Sequence, residues 1–183
     1  MRPGAYCGLL AAALAAGVVA CGPAPEGGLL EQAEQFYLDG QYDAAIPLLK
    51  RHLLAYPDDV AGHFYLGSSY TLASEGFHLT LARGELETAL AQYHRSGAKV
   101  SPIERFSSAD YFELRCHLEL GKVLFKQVVF MLENRWPSAA VNETMRAFEE
   151  TLEEARRISP ESDDVKNLEG IIRELRLGIR GRA

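Results

Sequence analysis

The chain has 183 residues, of which 48% are hydrophobic and 24% charged, and its formal net charge is −6 at neutral pH. This is the composition of a globular domain with room for a core, and it excludes a disordered chain. The acidic balance argues against nucleic acid as a partner, because phosphate binding needs a cationic face.

The first segment reads as an address. Arg2 precedes an apolar stretch from Gly8 to Ala20. That length suits the hydrophobic region of an export signal and falls short of the ~20 residues needed to span a bilayer. Val18-Val19-Ala20-Cys21 resembles the bacterial lipobox. The resemblance implies a signal peptide over residues 1–20, cleavage before Cys21, and acyl chains on Cys21 that bind the lipid membrane. An ordinary secretory signal cleaved after an alanine is the alternative. Two or more acyl chains anchor stably where one does not, since each buried CH₂ contributes ~0.8 kcal/mol. Residues 21–28, lipidated Cys21 and then Gly22-Pro-Ala-Pro-Glu-Gly-Gly28, read as a flexible tether. Gly22 after the cysteine resembles the outer-membrane class. The implied location is the bacterial cell envelope, facing the periplasm in a Gram-negative cell. Of three cysteines, Cys7 and Cys21 fall in this segment, so Cys116 remains as a free thiol and no internal disulfide is expected.

Residues 29–183 read as one helical domain, because apolar residues recur at three- and four-residue spacing throughout. The first helix carries Leu30, Ala33, Phe36 and Tyr37, and Asp39-Gly40 ends it. The second carries Tyr42, Ala45, Leu48, Leu49, Leu53 and Tyr56, contains Pro47, and ends at Pro57-Asp58-Asp59. The third carries Phe64, Leu66, Gly67, Tyr70 and Leu72; the fourth, Leu86, Ala89, Leu90 and Tyr93, closing at Ser101-Pro102. The longest runs from about Ser108 to Arg135, with Tyr111, Leu114, Leu118, Gly121, Phe125, Val128 and Leu132 on one face. Two more follow Pro137 and Pro160, over Ser138–Ile158 and Ser162–Ile179, with Ser138 as an N-cap.

This spacing resembles the tetratricopeptide repeat, a 34-residue helix–turn–helix unit. In the first unit the small and aromatic positions of the pattern fall on Ala33, Phe36, Gly40, Tyr42, Ala45, Leu49 and Pro57. His52 stands where a small residue is usual. A second unit carries Leu66-Gly67 and Tyr70, then Gly84, Leu86, Ala89, Tyr93 and Ser96. Its second half lies about ten residues late against the 34-residue period, so residues Ala73–Arg83 either lengthen a helix or form an inserted loop. A third unit carries Leu120-Gly121 and Leu124, then Leu152, Ala155 and Pro160. The resemblance implies an all-α fold: a right-handed superhelical array of antiparallel helix pairs. About three such units, the second and third irregular, are completed by a C-terminal capping helix.

Catalytic signatures are sparse. His52, His63, His78, His94 and His117 fall on different elements, without HExxH or a pair at one-turn spacing. Cys116 and His117 are adjacent on a helix and do not face each other, which favours a core thiol. Glu149-Glu150 and Glu153-Glu154 read as solvated helix surface among arginines. No phosphate loop, dinucleotide fingerprint or nucleophile elbow is present. We therefore expect no enzyme, no metal and no cofactor. The run Val123–Leu132 reads as a packed core helix, with a partner-binding or self-associating surface as the alternative.

The family resemblance implies a ligand groove lined by the first helices of successive units. Its register places Leu30, Glu34 and Tyr37 there from the first unit, and Phe64, Ser68 and Thr71 from the second. The lysines and asparagines that clamp a peptide carboxylate in part of the family are absent from Leu30, Glu34, Phe64 and Ser68. The resemblance thus implies a membrane-anchored scaffold that holds a protein or peptide partner in the envelope, for assembly of an outer-membrane, pilus, secretion or cell-wall complex. A structural homo-oligomer is one alternative. An enzyme or small-ligand binder, which would bring His94, His117 and carboxylates into one pocket, is another.

Overall fold

The computed structural model describes residues 28–73, 78–96, 106 and 108–180. The export segment, Cys21, residues 22–27, the Ser101-Pro102 boundary and Arg182 lie outside the described residues. Within them the chain has seven helices and no strand: α1 Leu29–Leu38, α2 Tyr42–Ala55, α3 Val60–Leu72, α4 Leu79–Arg95, α5 Ala109–Glu133, α6 Ser138–Ile158 and α7 Asp163–Arg180.

Local chemistry sets the ends. Gly40 has φ +73°, the left-handed conformation that glycine adopts without a Cβ clash. This lets Gln41 N–H reach Phe36 O at 2.8 Å and Gly40 N–H reach Tyr37 O at 3.1 Å, a paired closure that satisfies the last carbonyls of α1. Asp59 starts α3 by accepting the N–H groups of Ala61 and Gly62 at 2.9 and 3.3 Å. His52 is buried and hydrogen-bonded to the other oxygen of Asp59 at 2.5 Å, so the unusual residue of α2 is tied to the cap of α3. Ser108 caps α5 through Tyr111 N–H. Ser138 does not cap α6: Pro137 occupies that position, Ser138 is already helical, and no side chain replaces the cap. Residues 79–83 lengthen α4, which accounts for the late second half of that unit; residues 74–77 lie outside the described residues.

Each helix packs on the next, and alternate helices also touch: α1 with α3, α3 with α5, α5 with α7. The last three contacts form an inner row. α3 sits at its centre, buried on nearly every side. Close approach to α4 depends on Gly67, where an added Cβ would stand 2.7 Å from Leu86 Cγ and 3.0 Å from Ala82 O.

Two cores result. The first joins α1–α4 to Phe106 and to Phe112, Cys116, Leu120 and Val123 of α5. The rings of Phe64, Phe106 and Phe112 interlock with centroids 4.9–5.7 Å apart, and such edge contacts add ~1 kcal/mol each beyond area burial. The second core takes Leu114, Leu118, Leu124 and Val128 from the opposite face of α5 and packs them against α6 and α7. The expected single apolar face of α5 is therefore one of two. Tyr111, expected on it, is exposed, and Phe112 is buried in its place.

Candidate functional site

The inner row is closed where the sequence places the groove. Phe64, Ser68 and Thr71 are 1%, 0% and 3% exposed, and Leu30 is buried too. α5 fills the space in front of α3 with the Phe112 stripe, so these four side chains are internal packing and offer no free surface. Glu34 and Tyr37 are half-buried. Glu34 accepts the Tyr65 hydroxyl at 2.7 Å, and Tyr37 packs between Tyr42 and Tyr65 at centroid distances of 5.5 and 5.2 Å. Burial pushes the Tyr65 phenol up to about 12. It also raises Tyr37, with the negative charge of Glu119 adding to the effect. Both phenols are neutral donors at neutral pH. Glu119 is buried, with Oε1 held by Lys122 at 2.7 Å and Arg115 at 3.2 Å. Glu34 and Tyr37 meet α3 through Tyr65, and the other four residues are buried.

The row opens further along α5. α3 has 13 residues and α5 has 25, so roughly 18 Å of α5 extends beyond the length of α3. In that stretch Phe125, Val129, Phe130, Met131 and Leu132 are only half-buried. A concavity of about 600 Å³ lies between α5 and α7, lined by Phe125, Leu132, Ile171 and Leu175. A second, of about 290 Å³, shares Phe125 and is walled by Tyr70, Leu79 and Phe130. A third, of about 700 Å³, shares Leu132 and is walled by Trp136, Val141 and Ile179. Sharing Phe125 and Leu132, the three adjoin along α5 from Phe125 to Glu133, a mostly apolar groove roughly 12 Å long that Lys126, Glu133, Lys166 and Glu174 also line and that ends at Trp136 in the following turn. Lys126 sits on its border, its ammonium donating to Thr71 O.

The turn after α5 shapes the far end. Trp136 N–H reaches Met131 O at 2.9 Å and Arg135 N–H reaches Leu132 O, the closure seen at Gly40. Here the left-handed position is filled by Arg135, with φ +53°. The turn brings Trp136 edge-on to Phe130 at 6.4 Å. Trp136 was missed from sequence, whereas Phe125 and Leu132 lie in the run Val123–Leu132, for which a partner-binding surface was the alternative to a packed core helix. The excess length of α5 over α3 was the signal for them.

The histidines form local links. His63 Nδ1 pairs with Glu85 at 2.6 Å and Nε2 with Pro57 O at 2.8 Å. Burial opposes its charge, but these two acceptors outweigh burial and raise its pKa. His94 Nε2 lies 3.0 Å from Glu113, and His117 is buried on the same junction of α4, α5 and α6. Burial lowers the His117 pKa against the opposing charges of Glu113 and Glu154. The junction thus gathers His94, His117 and carboxylates, yet among the described residues no three His, Cys, Asp or Glu side chains are grouped to hold a metal ion. Cys116 is fully buried, which raises its thiol pKa well above the ordinary value. Among the described residues no helix is long and apolar enough to cross a membrane.

No protein-family model matches the chain, nor does any curated protein or solved structure.

Proposed function

We propose that the chain is a lipid-anchored, tetratricopeptide-type adaptor of the bacterial cell envelope, and that it grips an amphipathic helix of a partner protein in the groove along α5. The observation that carries this is the row of adjoining, mostly apolar concavities from Phe125 to Trp136. Supporting it is the stacking order, in which each helix packs on the next and α1, α3, α5 and α7 also touch in turn, as in a right-handed superhelix of helix pairs. A groove of roughly 12 Å takes about two turns of helix. Acylated Cys21 supplies the anchor, which raises local concentration so that a modest groove affinity suffices.

Photocrosslinking in the native host tests this. A crosslinking residue at Leu132 is expected to trap one defined protein, and one at exposed Arg51 is not. Equal capture at both positions moves the interface elsewhere. Cys21→Ala is expected to shift the chain from the membrane to the soluble fraction; retention at the membrane removes the lipid anchor. Self-association through the same half-buried residues of α5 is the second reading. Light scattering of the Cys21→Ala chain separates the two, since the adaptor is monomeric alone and the oligomer is not.

A further inference from the structure

α7 borders the groove, and its two halves are held differently. As far as Ile172 the helix is held in the second core by Val165, Leu168 and Ile172, and Glu169 lies 3.7 Å from Arg156. Beyond it Leu175 and Ile179 are half-buried against that core and Leu177 is exposed. Open space flanks that half on both sides. The α5 side has the 600 Å³ concavity. The α6 side has one of about 300 Å³ lined by Met145, Glu149, Arg176 and Ile179. Gly178 adds backbone freedom, which weakens a helix. Arg176 ties this half back to Glu149 of α6 at 2.7 Å, an ion pair whose partners are both partly exposed.

We propose that residues 173–180 form a displaceable strap over the α5 groove, and that a partner helix enters by lifting it. The inference rests on the groove being the docking site. Leu175 and Gly178 line the same concavity as Phe125 and Leu132, so strap and partner compete for one surface. These last two turns pack Leu175 and Ile179 against the second core and have voids on both flanks, so they give up fewer contacts on leaving than the first part of α7 does, and local opening draws on such weakly packed segments. The occupant this predicts is an amphipathic helix whose apolar residues repeat every four positions, as Ile171, Leu175 and Ile179 do. While the strap is down, the apparent affinity for that helix is reduced by the fraction of molecules that are closed.

The test uses the full chain carrying Cys21→Ala and, as probe, a fluorescent synthetic peptide of residues 163–180. Arg176 and Glu149 lie on the α6 side, away from the α5 wall, so their substitution changes the strap and not the groove. Arg176→Glu is expected to bind the peptide about three- to tenfold more tightly, and the swap Arg176→Glu/Glu149→Arg to restore the original affinity. Hydrogen exchange is expected to be faster in residues 173–180 than in 163–172, and faster still in Arg176→Glu. Phe125→Ser is expected to abolish binding. Equal affinities across the ion-pair variants, with binding still lost in Phe125→Ser, overturn the strap and leave the groove standing. Peptide binding that survives Phe125→Ser overturns the groove itself. Absence of binding even to Arg176→Glu rules out the strap as the groove's own occupant.

Discussion

Around α3 the inner row is closed, and along the second half of α5 it is open, although both helices carry apolar residues at the same spacing. α3 has α1 on one side and α5 on the other, with α2 and α4 behind it. Its Phe64, Ser68 and Thr71 are therefore covered. α3 borders α5 as far as Thr71 O, which accepts from Lys126, and α7 meets α5 through a short contact that leaves Phe125 and Leu132 half-buried. In a stacked array, exposure is set by whether a neighbour reaches a given turn of the helix, and relative helix lengths decide that. The closed stretch supplies stability, and the open stretch supplies a surface to bind with.

The sharpest way to break this contrast is at Gly67. Gly67→Leu drives a side chain into the backbone of α4 and should destabilise by about 3 kcal/mol, read by urea denaturation. Destabilisation well below about 1 kcal/mol would mean the two helices are less closely packed than described. A smaller effect of opposite sign is expected at Arg135, which holds a left-handed backbone that costs a non-glycine residue about 1 kcal/mol. Arg135→Gly should raise stability by up to that amount and keep Trp136 on Phe130. Loss of stability would show that the Arg135 side chain contributes more than its backbone costs. Leu132→Ser, at a half-buried position packed against the second core, should destabilise by about 1 kcal/mol while removing partner binding. Unfolding by that variant would put Leu132 in the core.

Two histidines outside the open stretch respond oppositely to pH. His63, in the closed half, has a raised pKa, so its contribution is present below its ordinary value of 6.5 and is lost as pH rises through the folded value. His117 has a lowered pKa, so its contribution is present above 6.5 and is lost as pH falls through the folded value. Denaturation curves across this range should lose their alkaline slope in His63→Gln and their acid slope in His117→Gln. Identical slopes in both variants would locate the titration in other groups.

Much of the secondary structure was legible because its signals are local. Gly40, Pro57, Pro137 and Pro160 ended or separated helices where expected, and Ser108 capped α5. The side-chain cap expected of Ser138 failed because Pro137, with φ fixed near the helical value, already begins the turn there. His52 looked out of place by pattern and proved to be the partner of Asp59, which no spacing rule announces, since the pair is made by the fold of the α2–α3 turn. The candidate site was the least legible part. Leu30, Phe64, Ser68 and Thr71 lie on the inner row as the register implies, and are covered all the same.

The amino-acid sequence alone determined that this chain is helical, where its helices start and stop, and which residues are small enough for close packing. Those properties follow from backbone conformation and from side-chain periodicity within one helix. The tertiary structure alone decided that α5 is apolar on two faces for two separate cores, and that its far end stays partly uncovered. A stripe of apolar residues states that a surface needs covering; only the positions and lengths of the neighbouring helices state whether it is covered.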